Sequence, residues 1–438
     1  MNTEEILGNL NIDALTAMQQ DTMAEFRKGR DIVLLSPTGS GKTLAFLIPL
    51  AQSLAAGGGL QAVILVPSRE LALQIEQVWT SMRTGIPIMS CYGGRPAMEE
   101  HRRMMQVPPC VVVATPGRMN DHLDKGNLDA GQVSTLVIDE FDKCLEFGFQ
   151  DEMSRVVAKL PALRRRFLLS ATDAPGIPAF VSDQGFSRLD YISSDGTDAA
   201  RLTIYKVCSP QKDKLESLSQ LLLSLGSDTT LVFVNYRESV ERVYAHLRRC
   251  GLYCEQFHGG MEQKDRERAL YKFSNASANV LVSTDLASRG LDIPQVKHIV
   301  HYHLPLNQEA YIHRNGRTAR WLASGDAIFL LGPDEQLPPY VDARTVTTLA
   351  PHPGTATVTP PEWITLYIGK GKKDKLSKGD VVGFLSKVGG LQAGEIGRVD
   401  LKDHYAFVSI RRARLDLVMS QVKGKKIKGI KTIVEPSR

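Results

Sequence analysis

The sequence predicts two parallel-sheet α/β domains in tandem, followed by a small α+β domain, and three observations carry that prediction. Short β-rich apolar runs alternate with helical patterns through residue 331, as βαβ units require. A phosphate-loop sequence, Ser36-Pro37-Thr38-Gly39-Ser40-Gly41-Lys42-Thr43, closes the first of these runs. Beyond residue 361 the rhythm becomes β-α-β-β-α-β and the charge turns basic.

In the first domain, placed at residues 1–194, strands fit Asp31–Leu35, Ala62–Val66, Val111–Ala114, Thr135–Ile138 and Phe167–Leu169. Helices follow Lys42, Glu70 and Asp151. The polar run Ser193-Ser194-Asp195-Gly196-Thr197-Asp198 leads into a linker at 195–202. The second domain, 203–335, has strands at Thr230–Val234, Val280–Ser283, His298–Val300 and Ala327–Leu331 and helices at Arg237–Arg249 and Gln263–Phe273. Proline and threonine mark residues 336–361 as a second linker. In the third domain, 362–438, strands fit Trp363–Ile368, Gly397–Leu401, Tyr405–Ile410 and Lys431–Val434, with helices at Lys378–Leu385 and Ala413–Gln421. That order suits a ferredoxin-like domain of the RNA-recognition (RRM-like) type.

Composition narrows the function classes. The 438 residues exceed one ordinary core, and 43% apolar with 23% charged residues is a soluble globular balance. The net charge of +5 is unevenly spread: residues 360–438 hold 17 Lys/Arg against 8 Asp/Glu, leaving 36 against 40 in residues 1–359. A basic appendage suits a polyanion. The six cysteines form no C-x-x-C pair and no zinc-spaced cluster, so they read as reduced thiols of a cytoplasmic protein. No run approaches the length of a membrane span, and no apolar leader opens the chain.

The motifs specify the chemistry. The loop follows a strand and opens a helix, the context a phosphate cradle needs. Thr38, Gly39, Ser40 and Gly41 line it, Lys42 reaches the outer phosphates, and Thr43 offers its hydroxyl to Mg²⁺. Ser36 stands where the strict pattern has glycine. Asp139-Glu140-Phe141-Asp142 ends the apolar run Thr135–Ile138: Asp139 is placed to hold the metal, partly through water, and Glu140 to act on the attacking water. Arg317 and Arg320, three apart, lie on one face of a helix or turn and suit charge neutralisation on a transferred phosphoryl group.

With these motifs in order, the chain resembles a DEAD-box ATP-dependent RNA helicase over residues 1 to about 331. The resemblance implies two RecA-like domains, hydrolysis of ATP with Mg²⁺, and local strand separation as the domains close. It assigns adenine to Gln19, RNA backbone to Arg69, Gly93-Gly94, Thr115 and Arg118, and coupling of ATP state to RNA binding to Ser170 and Thr172. In the second domain it assigns RNA and ribose contacts to Gln263, Arg266, Thr284 and Asp292, and support of the arginine motif to Phe233. Departures are Phe141 in place of alanine, Asn315 and Ala319 in the arginine motif, and the lack of an aromatic in residues 1–10. That lack leaves Ile6 or Leu7 to support adenine.

In the tail, strand alternation puts Tyr367, Tyr405 and Phe407 on one sheet face, where they could stack bases. Lys370, Lys372, Lys373 and Lys375 form one basic loop, Lys423, Lys425, Lys426 and Lys428 another, and Arg411, Arg412 and Arg414 a third cluster. Segments 369–380, 394–398 and 423–429 resemble the C-terminal domain of bacterial DbpA-type helicases. That likeness implies structured ribosomal RNA (23S) and pre-ribosomal particles as partners of a cytoplasmic monomer without membrane contact. Two other readings fit less of the sequence: an RNA clamp or annealing protein with weak ATPase activity, and an NTPase acting on DNA or protein.

Overall fold

A computed structural model describes residues 2–37, 39–94, 96–172, 177–178, 180–181, 185–192, 202–288, 296–318, 324–351 and 358–437. The chain divides into two compact units, one built from the first 200 residues and the other from the residues that follow.

The first unit holds seven parallel strands: β1 (Ile32–Leu35), β2 (Ala62–Leu65), β3 (Ile88–Cys91), β4 (Val111–Ala114), β5 (Thr135–Ile138), β6 (Arg165–Ser170) and β7 (Ser187–Asp190). Their order is β3-β4-β2-β5-β6-β1-β7. Strands β1, β2, β4 and β5 are buried throughout, because helices cover both sheet faces. Such strands read as continuous apolar runs, which is why sequence alone found them. Strands β3 and β7 escaped it. The outermost strand β7 is short and polar, with half-buried and exposed residues alternating.

The second unit repeats the plan. Its strands are β8 (Leu202–Cys208), β9 (Thr230–Phe233), β10 (Cys254–Phe257), β11 (Val280–Ser283), β12 (His298–His301), β13 (Gly325–Leu331) and β14 (Val346–Thr348), ordered β10-β11-β9-β12-β13-β8-β14 and all parallel. Strand β14 lies in the stretch expected to be plain linker; it pairs Val346 with Ile204 and lengthens the sheet.

The tail completes this unit with β15 (Trp363–Ile368), β16 (Ile396–Leu401), β17 (Ala406–Arg411), the hairpin β18 (Lys426–Ile427) and β19 (Ile430–Lys431), and β20 (Val434–Pro436). The four-stranded antiparallel sheet runs β16-β17-β15-β20, the order of a βαββαβ unit. Its last strand falls at Val434–Pro436 rather than Lys431–Val434, because residues 426–431 turn back on themselves. Leu366, Ile368, Ala406, Val408 and Ile410 face the helices Lys378–Lys387 and Leu415–Val422 and share a core with Val381, Phe384, Leu385 and Val418. No helix among the described residues is long and apolar enough to cross a membrane.

Candidate nucleotide site and nucleic-acid interfaces

Strands β5, β6 and β1 are neighbours, so the loops at their carboxyl ends meet at one edge, where open α/β sheets bind ligands. The Ser36 amide continues the ladder by donating to Ser170 O at 3.1 Å. The phosphate loop, the acidic tetrad and Ser170-Ala171-Thr172 are therefore side by side.

Gly41 adopts φ 90° and caps the helix Lys42–Ser53. A Cβ there would fall 2.7 Å from Gln19 Nε2, so only glycine admits the glutamine this close. Gln19 Nε2 donates to Gly41 O at 3.2 Å, while its Oε1 accepts the Thr16 amide at 2.9 Å. Gln19 thus braces the loop from the helix Ala17–Arg27. The Lys42 ammonium donates to Ser36 O and, at 2.9 Å, to Pro37 O, which holds the positive charge inside the curve of the loop. Thr43 sits in the first helical turn, where amides and helix dipole favour anions. Thr38 lies outside the described residues. Ile6 and Leu7, the aliphatic stand-ins for an adenine platform, are buried in the core beside Phe46 and Trp79; apolar packing claims them, and they offer adenine no surface.

Asp139 follows β5, and its amide donates to Leu65 O at 3.0 Å. Its Oδ1 accepts the Glu140 amide at 2.9 Å. Burial, and then the neighbouring Glu140 charge, push the Asp139 carboxyl up to about 7, although Lys42 pulls the other way. Glu140 takes the left-handed conformation, φ 49°, uncommon for a residue with a Cβ, and its Oε2 is buried with no hydrogen-bond partner among the described residues. Two crowded carboxylates of this kind suit a divalent cation, which would relieve both burial and repulsion. Phe141 points the other way. It is 2% exposed and packs in the core with Leu136, Ile138 and Met153, so its larger ring fills space behind the tetrad. Asp142 turns towards β6: its Oδ2 accepts the Thr172 hydroxyl at 2.9 Å, and Ser170 Oγ accepts the Thr172 amide at 3.1 Å.

On the far side of β2 the three first-unit segments assigned to RNA converge. Ser68 caps the helix Arg69–Met82 through the Leu71 amide. The Arg69 guanidinium lies so close over Gly94 that a Cβ there would meet Arg69 Nη1 at 2.2 Å. Thr115 starts the helix Pro116–Asp124, from which Arg118 Nη1 reaches Glu100 Oε2 at 3.1 Å.

In the second unit the arginine motif is anchored by a residue that sequence reasoning passed over. Arg314 is fully buried; its guanidinium donates to both oxygens of Asp285 (2.5 and 3.1 Å), to His303 O and to Asn235 Oδ1 (2.8 Å each). It also lies 5.1 Å over the Phe233 ring, which gives Phe233 its supporting place. No spacing rule could link Arg314, on the helix Gln308–Asn315, to Asp285, in the short turn after β11, since only the fold brings these separate elements together. Arg317 is also buried. Arg320 and Asp292 lie outside the described residues. Gln263 and Arg266 stand on the first turns of the helix Gln263–Ser274, with Gln263 Nε2 donating to Glu267 Oε1 at 3.2 Å; Thr284 follows β11 and is half-buried.

The same helix overturns the stacking expectation for the tail. Phe407 is 0% exposed: Tyr271 stacks on it at 5.3 Å between centroids. Tyr405 Oη donates to Glu267 Oε2 at 3.1 Å, and burial with that negative neighbour drives its phenol upward. The Lys264 ammonium lies over Tyr367 and Tyr405 at 4.7 and 5.5 Å. Thr365 Oγ1 bonds Ser277 Oγ and Asn275 Nδ2 at 2.9 and 3.0 Å. Phe407 is thus covered by protein, while Tyr367 and Tyr405 are half-buried and engaged by Lys264 and Glu267. Among the basic clusters, Arg411 pairs with Glu362, Arg412 donates to Pro361 O, and Arg414 to Glu395. Lys423, Lys425 and Lys426, on and before the β18–β19 hairpin, are exposed.

Comparison with known proteins agrees with this layout. Residues 16–176 match the DEAD/DEAH box helicase model, 213–322 the helicase conserved C-terminal domain and 365–436 the DbpA RNA binding domain. The chain is 34% identical to the ATP-dependent RNA helicase DbpA of Escherichia coli, over 97% of this chain and 94% of that protein. It is 29% identical to DbpA of Bacillus subtilis, over 94% and 93%. Among solved structures, S. cerevisiae Dbp5 bound to RNA and ADP BeF3 superposes with a TM-score of 0.67 at 25% identity, covering 75% of this chain and 88% of that one. Mss116 bound to ssRNA and UDP-BeF gives 0.66 at 25%, covering 76% and 74%.

Proposed function

The chain belongs to the DbpA-type DEAD-box RNA helicases, which hydrolyse ATP, and from that premise we propose that it opens short RNA duplexes by ATP-driven closure of its two α/β domains. The observation that carries the reading is the meeting of Lys42, Asp139, Glu140 and the Thr172–Asp142 bond at one sheet edge. Lys42 and the loop amides bind the phosphates, and Gln19 reads adenine. Thr43 and Asp139 would hold a Mg²⁺, which neutralises phosphate charge when bound. Glu140 orients the attacking water and takes its proton, and closure delivers Arg317 and Arg320 to the phosphoryl group. Arg69, Gly94, Thr115, Arg118, Gln263, Arg266 and Thr284 grip RNA through its backbone, without reading sequence.

The tail adds a tether. Its exposed lysines, not its aromatic face, bind a structured segment of 23S ribosomal RNA, and the protein acts on pre-ribosomal particles during large-subunit assembly as a cytoplasmic monomer. The test is Glu140→Gln: ATP and RNA should still bind, while phosphate release falls by about 10²-fold or more. Unchanged turnover would remove Glu140 from the chemistry.

A further inference from the structure

We propose that Glu100 is a positioning residue for RNA, a buried carboxylate that locks two backbone-gripping segments of the first unit into one pose. The inference rests on the proposed RNA role of Gly94 and Arg118 and adds to it a residue that touches no RNA itself.

Glu100 lies on the helix Ala97–Gln106, most of which is polar and turned to solvent, yet it is wholly buried. A buried carboxylate persists only where donors surround it. Its Oε1 accepts the Tyr92 amide at 3.1 Å, one residue before Gly93-Gly94. Its Oε2 accepts Arg118 Nη1 at 3.1 Å and His122 Nε2 at 2.7 Å. Arg118 and His122 are four apart on the helix Pro116–Asp124 and so share a face. Asn127 Nδ2 lies 3.1 Å from His122 Nδ1. An amide NH₂ can only donate, so the network assigns the ring proton to Nε2, facing Glu100.

The consequence is geometric. Gly94 carries Arg69 against its backbone, so fixing the Tyr92 amide also fixes the platform on which Arg69 rests. The oxygen that holds Arg118 Nη1 restrains where its guanidinium points, and phosphate recognition by arginine depends on that orientation. One side chain therefore aligns Arg69, Gly94 and Arg118 before RNA arrives, and RNA need not order them on binding.

The test compares Glu100→Gln, Glu100→Met, Arg118→Ala and the Glu100→Gln/Arg118→Ala double variant in the full chain, by RNA-stimulated ATP hydrolysis with a single-stranded RNA. Glutamine keeps the volume and an acceptor for Tyr92; methionine removes the buried charge without leaving a void, so a folded variant is available either way. For either Glu100 variant we expect the RNA concentration for half-maximal stimulation to rise about fivefold or more, with maximal rate and KM for ATP unchanged. In the Arg118→Ala background the Glu100→Gln increment should shrink below about twofold, since residues that act through each other are not additive. If Arg118→Ala leaves RNA half-saturation unchanged, the RNA role of Arg118 fails and this inference with it. If Arg118→Ala weakens RNA while both Glu100 variants match the parent, or if the two effects multiply in full, the inference alone is overturned.

Discussion

The Thr172 hydroxyl donates to Asp142 Oδ2 at 2.9 Å, joining the loop after β6 to the last acid of the tetrad. Because β6 lies between β5 and β1, this bond ties the tetrad to the strand that pairs with β1, from which the phosphate loop leaves. A hydrogen bond to a charged group contributes about 1.5–3 kcal/mol. Thr172→Val keeps the shape and removes the donor. ATP binding should survive, while the rate of duplex opening falls by about tenfold or more. Equal unwinding rates in parent and variant would show that the bond does not couple the two loops.

Phe141 fills core rather than site. Removing a buried ring costs about 3–5 kcal/mol through lost burial and a residual cavity. Phe141→Ala should therefore lower the melting temperature of the first unit, even though alanine is the familiar residue in this tetrad. Glu140→Gln, at the neighbouring position, should leave it nearly unchanged. A melting curve for Phe141→Ala that overlays the parent would contradict the packing seen here.

The tail offers a contrast between charge and ring. Lys425→Ala with Lys426→Ala should weaken structured-RNA binding and reduce the salt dependence of log K by about two, if each lysine neutralises one phosphate. Phe407→Ala should leave the salt slope intact and loosen the tail from the helix Gln263–Ser274, seen as faster proteolysis around residue 360. A steep loss of RNA affinity in Phe407→Ala, with the tail still docked, would restore the stacking role.

His301 makes the second unit sensitive to acid. It is buried between Phe233 and Phe329, and burial, helped by the Arg314 charge, holds its imidazole well below the ordinary range. The unfolded chain binds a proton near pH 6.5 that the folded chain refuses. This contribution to stability is therefore complete above about pH 6.5 and is lost as the pH falls towards the folded value. His301→Gln keeps a partner for Asn315 and cannot titrate. Its melting temperature should fall less between pH 7.5 and 5.5 than the parent's, and parallel declines would exclude His301 as the source.

The nucleotide edge was legible because its signals are local. A strand followed by Gly39-Ser40-Gly41-Lys42, and another followed by Asp139-Glu140, each specify their own turn through backbone conformation and burial over a few residues. The segments around Arg69, Gly94 and Thr115 stood out for the same reason, each carried by its own turn after a strand. Arg314, Glu100 and the fate of the tail aromatics were not. Arg314 needs Asp285 and Asn235, Glu100 needs Tyr92 and His122, and none of these pairs has a period or spacing to betray it.

Alternation alone could place Tyr367, Tyr405 and Phe407 on one face, because side chains in a strand point to opposite sides in turn. What covers that face is a different matter. Tyr271 and Glu267 reach it from a helix more than a hundred residues upstream, stacking on Phe407 and accepting the Tyr405 hydroxyl. By itself, then, the sequence determined the succession of domains, their central buried strands and the phosphate chemistry, where local backbone and burial preferences suffice. Only the tertiary structure decided which polar groups pair between distant elements and that Phe407 is already spent on packing. Those outcomes depend on distant segments meeting, and the packing and charge pairing of that meeting leave no pattern along the chain.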